Sequence, residues 1–331
     1  MTFKNEVINY AKSLGLDAIG FTYCRRFSEL EDFLKDRKER RIENEFEDED
    51  IEKRLNPKLY MEDGKTIISV AFPYKGDACL KDDIYFSSYT RGLDYHKVVE
   101  GYLQNICDFI EKTFHGKTKI FVDSNSLPER YIAYLSGIGF IGRNGMVITE
   151  KYGSYVFLGE IITDIEAEGI KHKSQEELLE FKSCGQCKRC LSNCPTSAIN
   201  EKLCVPNVCM SYITQSKTIK ENFIRKMDGR IFGCDHCQTC CPYNDKAKGY
   251  YLKEFEPKNY MENVDAEEII YMDNKTFRQK YGGTSCGWRG KAILQRNALI
   301  AKVLKKHEFD IDEKRITSPK VREYYEILKK L

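Results

Sequence analysis

The 331-residue sequence has no run of about eighteen apolar residues, the length that a membrane-spanning helix requires. Its N-terminal segment includes Lys4, Glu6, Lys12 and Asp17, so the apolar core of a signal peptide and a twin-arginine motif are both absent. The 53 basic and 51 acidic residues leave a net charge of only +2, so no overall field predicts a nucleic-acid or membrane partner. We therefore expect a cytoplasmic protein with reduced thiols, whose partners are recognised by local surfaces.

Cysteine is abundant, with 14 residues, but ten of them lie in one short region rather than being spread as in a disulfide framework. The segment CGQCKRCLSNCP has the spacing C-x2-C-x2-C-x3-C-P, in which three thiolates bind one cubane and the fourth points to a second cluster. The segment GCDHCQTCCPYN supplies four more cysteines before a proline. This pattern predicts two iron–sulfur clusters that draw ligands from both segments. The ten cysteines are Cys184, Cys187, Cys190, Cys194, Cys204, Cys209, Cys234, Cys237, Cys240 and Cys241.

Zinc is the alternative metal, because it also binds cysteine pairs at C-x2-C spacing. Three consecutive thiols at two-residue gaps, with a fourth before proline, fit a cubane better. Two clusters need about eight ligands, so two of the ten cysteines are spare. Cys240 and Cys241 are adjacent and cannot easily both bind, and the proline that follows favours Cys241. Either Cys204 or Cys209 is the other spare thiol.

The alternation of strand and helix patterns predicts an α+β fold with three parts. Residues 1–170 are expected to form an N-terminal domain like an α/β sandwich, residues 171–250 a compact ferredoxin-like cluster domain, and residues 251–331 a short helical region. Within the first part, the glycine-rich residues 137–145 are predicted to be a loop. The next 19 residues, 146–164, are predicted to be two strands joined by a turn at Tyr152–Gly153.

Three polar features outside the cysteine region are candidates for function. Asp123 follows a predicted strand, where functional carboxylates often lie, although it could instead cap the helix that begins near Leu127. His96 is expected to be a structural or surface residue. The tract CGWRGKAILQRNALIAKVLKKH contains no acid, which suits binding of a phosphate backbone but is also typical of a solvated basic face. The basic residues that we predict to contact nucleic acid are Arg289, Lys291 and Arg296.

Several stretches together resemble one family, the cobalamin-dependent epoxyqueuosine reductases that modify tRNA. They follow the family's order from Tyr89 to Ala301. They are YTRGLDYHKVV, VDSNSLPERYIAYLSGIGFIGRNGMVIT, GSYVFLGEIIT, CGQCKRCLSNCPTSAI, CMSYIT, GCDHCQTCCPYN and GWRGKAILQRNALIA. The resemblance implies a two-electron reduction of epoxyqueuosine to queuosine, with release of water, at the wobble position of a tRNA anticodon. It also implies two [4Fe-4S] clusters and a cobalamin bound base-off to the N-terminal domain.

The resemblance further implies roles for individual residues. Asp123 falls on the family's catalytic acid, and we expect burial to raise its pKa so that it holds a proton. Cys184, Cys187, Cys190 and Cys241 would bind one cluster, and Cys194, Cys209, Cys234 and Cys237 the other. Cys204 and Cys240 then become the spare thiols. The corrinoid contacts would be Asp123, Phe46, Val147, Thr149, Leu158, Ser211 and Asp235.

Longer family members continue as a HEAT-like helical array, whereas this sequence ends soon after its basic tract. The expected partners are the modified tRNA and an external low-potential donor of the flavodoxin or ferredoxin type, and the expected state is a monomer. Two alternatives remain open. One is a corrinoid reductive dehalogenase, although those enzymes carry an export signal. The other is a two-cluster electron carrier without a substrate, although a carrier would not need the N-terminal domain.

Overall fold

An antiparallel sheet with the strand order β1-β2-β7-β4 forms the centre of the N-terminal part. The computed structural model describes residues 2–76, 84–171, 173, 178, 181–201, 203–247 and 249–331. In those ranges the strands are β1 (Ile19–Tyr23), β2 (Thr66–Pro73), β3 (Tyr85–Phe86), β4 (Thr118–Phe121), β5 (Gly139–Ile141), β6 (Val147–Thr149), β7 (Val156–Thr163) and β8 (Arg230–Phe232). Every residue of β2 is buried, as the continuous apolar run predicts.

Helices cover both faces of this sheet. The α-helices are Phe3–Ser13, Glu31–Glu39, Ile51–Leu55, Tyr95–Phe114, Glu129–Leu135, Arg189–Ser192, Met210–Gln215, Glu221–Ile224, His236–Thr239, Pro242–Asp245, Asn259–Glu262, Ala266–Tyr271, Asn274–Lys280, Lys291–Lys306 and Pro319–Leu328. Short 3-10 turns lie at Ser28–Leu30, Pro57–Leu59, Ser88–Thr90, Lys182–Cys184, Pro206–Val208, Lys253–Phe255, Gly287–Arg289 and Glu313–Arg315. Within the described residues, no helix has the length and apolar character needed to cross a membrane.

The alternation of side chains along β2 separates two apolar cores. Ile68 packs with the long helix Tyr95–Phe114, whereas its neighbour Ile67 packs with the helix Glu129–Leu135 on the opposite face. The mixed α/β class is therefore confirmed, and the helices enclose the sheet as in a sandwich.

The two strands predicted in residues 146–164 are present as β6 and β7, with a turn between them. The glycine-rich segment 137–145 is not all loop, because it contains β5, which pairs with β6. The hairpin closes through hydrogen bonds from Gly142 N to Met146 O (2.9 Å) and from Gly145 N to Gly142 O (2.8 Å). Gly145 has φ +73°, which glycine adopts without strain. The glycines that indicated a loop therefore form a hairpin turn.

The C-terminal helices share one core with residues before the predicted boundary at 250. Phe86 of β3 and Ile231 of β8 pack in the same cluster as Leu294 and Tyr324. β3 pairs in parallel with β8. This pair connects the N-terminal part directly to the C-terminal core. Packing of the C-terminal core therefore crosses the predicted limit of the cluster domain.

Arg296 belongs to the interior, so its predicted contact with nucleic acid is wrong. The side chain is fully buried, with 0% exposure. Its guanidinium donates hydrogen bonds to the carbonyl oxygens of Ser216 (2.7 Å), Lys217 (3.1 Å) and Thr214 (3.2 Å), and it lies over the ring of Tyr324. The tract without acids looked like one basic surface, but the helix Lys291–Lys306 turns this residue inward.

Replacing Arg296 with methionine should destabilise the protein by about 3 kcal/mol, because the carbonyl groups of Thr214, Ser216 and Lys217 lose their donor, and the first two of these residues are buried. Urea unfolding followed by circular dichroism measures the loss. The same change at the exposed Arg278 should alter stability by no more than about 0.5 kcal/mol. Equal stability of the two variants would contradict a structural role for Arg296.

Candidate active site and cluster ligands

Asp123 lies two residues beyond β4, on a loop that the backbone holds in an unusual conformation. Its φ is +45°, in the left-handed region that aspartate tolerates better than most residues. Its amide donates a hydrogen bond to Glu129 Oε1 (2.6 Å). The alternative role as helix cap is wrong, because the residue at the cap position is Pro128 and no side chain caps this helix. The Asp123 carboxylate, with 55% of its side chain exposed, is available to a ligand.

Two residues from the start of the helix Tyr95–Phe114 bind this carboxylate. Tyr95 donates its hydroxyl to Asp123 Oδ2 at 2.6 Å, and His96 Nε2 lies 3.1 Å from the same oxygen. The other ring nitrogen of His96, Nδ1, lies 2.8 Å from Asp94 Oδ1. Asp94 also caps the helix by accepting a hydrogen bond from the amide of His96. His96 was expected to be structural or at the surface, yet it joins two carboxylates.

The charges in this group follow from its hydrogen bonds. Burial opposes ionisation of Asp123, but the hydrogen bonds from His96 and Tyr95 outweigh it, so the pKa of Asp123 is lowered. Hydrogen bonds to Asp123 and Asp94 raise the pKa of His96 to about 9. At neutral pH the proton therefore resides on the imidazole. The raised pKa that we expect for Asp123 beneath corrinoid and substrate stays a prediction, and in the protein alone the partners of Asp123 lower its pKa.

Two further acids lie behind the Asp123 loop. Burial and then the Asp123 charge raise the pKa of Glu129 to about 7. Burial also raises the pKa of Glu160 on β7, a fully buried residue that accepts a hydrogen bond from Ser69 Oγ (3.1 Å). Neither acid was singled out in the sequence, because nothing in a single sequence shows that β4, β7 and the following helix bring them together.

A cleft of about 410 Å³ opens beside the Asp123 loop. His96 lines one side, and the loop residues Ser124 and Asn125 line another. A protonated imidazole therefore faces a space that could admit part of a substrate. The other lining residues are Glu100, Ile120, Phe121 and Val122.

Two of the predicted corrinoid contacts, Ser211 and Asp235, lie near Tyr89. Leu158 instead packs with Ala71, Tyr152 and Val156, away from its neighbour Phe157, whose ring stacks on Tyr95 at 4.3 Å. Burial raises the pKa of Tyr89, and the interaction of its hydroxyl with Ser211 offsets part of this rise. Asp235 Oδ2 accepts hydrogen bonds from the amide (2.7 Å) and hydroxyl (3.1 Å) of Ser88, the residue before Tyr89.

Val147 and Thr149 are nearly fully buried on β6, each with 3% exposure. The Thr149 hydroxyl is already engaged, since it donates to Gly153 O (3.1 Å) and accepts from the Tyr152 amide (2.9 Å).

The thiols form two groups in space. Cys184, Cys187, Cys190 and Cys241, called the first set here, line one cavity together with Arg143, Asn144, Ile148, Arg189, Pro242 and Tyr243. Burial raises the pKa of the Cys190 thiol to about 12, and the nearby thiols of Cys240 and of the other three members of the set contribute to this rise. The four thiols around one cavity fit the soft donor set of a cubane. Within the described ranges, no three potential ligand side chains converge as they would around a single metal ion.

The second set consists of Cys194, Cys209, Cys234 and Cys237. Burial raises the pKa of Cys237, and the thiols of Cys234 and Cys209 raise it further. Cys204 is a neighbour of this set, just as Cys240 is a neighbour of the first. Because Cys204 interacts with Cys209 and Cys240 with Cys190, the choice of Cys204 and Cys240 as the spare thiols stays a prediction.

Phe46 lies in an exposed aromatic group with Tyr212 and Trp288. Its ring is 5.4 Å from that of Trp288, and the guanidinium of Arg289 lies over both rings. Arg289 also pairs with Glu45 and donates to Gln215 O (2.6 Å). The predicted nucleic-acid residue Arg289 thus connects the Phe46 segment to the C-terminal core.

Residues 183–244 match the family described as "4Fe-4S double cluster binding domain". The fold and the thiol grouping therefore define a double-cluster iron–sulfur protein with an attached α/β domain. Residues 54–124, which include Asp123, match the family described as "Epoxyqueuosine reductase QueG, DUF1730". The chain is 37% identical to epoxyqueuosine reductase of Bacillus subtilis (strain 168), over 90% of this chain and 78% of that one. It belongs to the epoxyqueuosine reductase family of oxidoreductases.

Solved structures support the same assignment. One is an epoxyqueuosine reductase with an epoxyqueuosine-modified tRNA-Tyr stem loop, at a TM-score of 0.84, 31% identity and 98% coverage of both chains. Another is the Bacillus subtilis enzyme with an aspartate catalytic loop swung out of the active site, at a TM-score of 0.84 and 32% identity, covering 98% of this chain and 89% of that one.

The pKa of His96 should respond to its carboxylate partner. His96 pairs with Asp123 while it is protonated, so the pair is complete below the ordinary histidine value of 6.5 and is lost as the pH rises through about 9. In Asp123→Asn the His96 pKa should fall towards 6.5, as measured by NMR titration of the imidazole. Asp164→Asn, at a distant carboxylate, should leave it unchanged. A His96 pKa near 6.5 in the unmodified protein would contradict the ion pair.

Proposed function

We propose that this protein reduces epoxyqueuosine to queuosine at the wobble position of tRNA, with cobalamin and two [4Fe-4S] clusters. The reaction breaks both bonds to the epoxide oxygen and releases that oxygen as water. It consumes two electrons and two protons for each epoxide. The protein therefore has to deliver electrons and protons to one place.

The observation that carries this proposal is the match along 98% of both chains to a reductase with an epoxyqueuosine-modified stem loop. That coverage includes the helices after residue 251. The shorter C-terminal region is therefore compatible with binding of a tRNA stem loop, and a longer helical array is not required by the comparison.

Bound cobalamin would supply the low-potential cobalt chemistry needed to open the epoxide. The residues proposed to hold it are Ser211 and Asp235 near Tyr89, Leu158 on β7, Val147 and Thr149 on the β5–β6 hairpin, and Phe46. The first set of thiols would hold one [4Fe-4S] cluster and the second set the other.

The chain's own contribution to the chemistry is a positioned proton supply. His96 holds a proton at Nε2, and Asp123 Oδ2 accepts hydrogen bonds from both His96 and Tyr95. Asp123 can therefore take a proton from His96 and pass it to the departing oxygen, while Tyr95 keeps the carboxylate oriented. In this scheme Asp123 is a relay, and the stored proton belongs to the histidine.

The two alternatives are less well supported. The family assignment and the stem-loop relative favour epoxide reduction over dehalogenation. A simple electron carrier would have no use for a protonated His96 that faces a cleft beside Asp123. We therefore propose neither alternative for this chain.

Asp123→Asn should lower turnover by about a hundredfold or more, because the amide can hydrogen-bond but cannot relay a proton. Mass analysis of nucleosides from epoxyqueuosine-containing tRNA, with and without cobalamin, measures queuosine formation. Iron content and the bound corrinoid spectrum should match the unmodified protein. Asp164→Asn is the matched control and should retain full activity. Normal turnover in Asp123→Asn would refute the relay.

Lys291 is proposed to contact the tRNA backbone at the start of the basic helix Lys291–Lys306. Lys291→Glu should weaken binding of a tRNA stem loop and reduce the salt dependence of log K by about one unit. Lys305 is a suitable control, because it pairs with Asp228 at 2.7 Å. An affinity and a salt slope that are unchanged in Lys291→Glu, measured by fluorescence anisotropy, would remove this residue from the proposed surface.

A further inference from the structure

The two sets of thiols differ in their distance from solvent. Residues next to Cys234 and Cys237 of the second set are buried, including Phe232, Asp235 and Gln238. Residues before and between the first three cysteines of the first set are instead exposed. The exposed residues are Lys182, Ser183, Gly185, Gln186, Lys188 and Arg189. The first set therefore lies at the protein surface.

The second set lies on the side of the candidate active site. Asp235, between two of its ligands, accepts a hydrogen bond from Ser88, and the adjacent half-buried Tyr89 interacts with Ser211, Asp235 and Asp123. An electron that enters at the first set can thus move inward through the second set towards Asp123. The first set is the entry point that the fold leaves accessible.

The surface around the first set is positively charged. Described residues 143, 181–201 and 241–247 contain five basic side chains and two acidic ones, a net charge of +3. Arg143 lines the cavity and donates to Gly185 O at 3.0 Å. Glu201 pairs with Lys188 at 2.5 Å, and Asp245 is exposed. The five bases are Arg143, Lys182, Lys188, Arg189 and Lys246.

An aromatic residue lies inside this basic rim. Tyr243 is 36% exposed, packs edge-on against Phe140 at 5.0 Å, and donates its hydroxyl to Ser183 O at 2.6 Å. This contact joins the two cysteine segments on either side of the cavity. A small, partly apolar centre with a charged rim is typical of surfaces for transient protein partners.

We propose that this basic face around Tyr243 docks an acidic, low-potential electron-donor protein of the flavodoxin or ferredoxin class. The inference rests on the proposed function, which requires an external source of two electrons. In each encounter the donor loses one electron to the oxidised cluster held by the first set, and no bond or proton changes hands. Two encounters supply the electrons for one epoxide.

A tRNA is also acidic, but the position of the face favours the protein donor. The modified base has to reach Asp123, beside the second set, whereas this face surrounds the first set. Attraction between opposite charges on the two proteins would raise the rate of their encounter, and added salt would weaken this effect.

The test measures cluster reduction without tRNA. Oxidised holoprotein is mixed anaerobically with reduced flavodoxin of net negative charge, and bleaching of the cluster absorbance is followed by stopped flow. Lys182→Glu with Lys246→Glu should lower the second-order rate constant about tenfold or more at low ionic strength, with a smaller difference at high salt. The affinity for oxidised flavodoxin should fall in parallel.

Lys12→Glu with Lys112→Glu is the control, because both lysines are exposed on N-terminal helices and the charge change is the same. Photoreduced 5-deazariboflavin, an uncharged reductant, should reduce both variants at the unmodified rate. If the first variant loses iron, Lys246→Glu alone replaces it.

Equal rates with flavodoxin in the two double variants would overturn the proposal. The proposal would also be overturned if Lys182→Glu with Lys246→Glu lost stem-loop binding but kept its rate of reduction by flavodoxin. That result would assign the face to nucleic acid. Normal flavodoxin-dependent cluster reduction without queuosine formation would instead count against the proposed function and leave the docking face supported.

Discussion

The ion pair between His96 and Asp123 is the interaction on which the candidate site depends. It joins the first turn of the long helix to a loop after β4, and it decides which of the two groups carries a proton. Asp94 holds the imidazole from the other side, so the ring is fixed between two carboxylates. The Asp123 carboxylate remains accessible on the loop that borders the cleft. The fold therefore positions the side chains of His96 and Asp123 before a substrate binds.

The sequence predicted well what local pattern determines. The cysteine spacing indicated two clusters, and the apolar run of β2 indicated a buried strand. It failed where contacts join distant segments. The role of His96 depends on its contact with Asp123, which is 27 residues away in the sequence. Arg296 is buried because its guanidinium donates hydrogen bonds to carbonyl groups of residues 214–217. A helical basic tract shows its charges in the sequence but does not show which of them face the interior.

The charge distribution separates two tasks on one molecule. Positive side chains surround the thiols that lie near solvent, whereas the acids Glu129 and Glu160 lie behind the Asp123 loop, with Glu160 fully buried. Burial of these acids favours their neutral forms, which limits the repulsion that Asp123 would otherwise experience. The Asp123 carboxylate can therefore stay ionised although Glu129 and Glu160 lie behind its loop.

The short parallel pair β3–β8 has a consequence for the evolution of the molecule. β3 leaves the N-terminal part and β8 lies between the cysteine segments, and both strands are buried in the core of the C-terminal helices. The cluster segment therefore cannot be exchanged as a cassette, as a free-standing ferredoxin could be. Its sequence has to change in step with both neighbours, so inheritance of the three parts as a single unit follows from two strands of two and three residues.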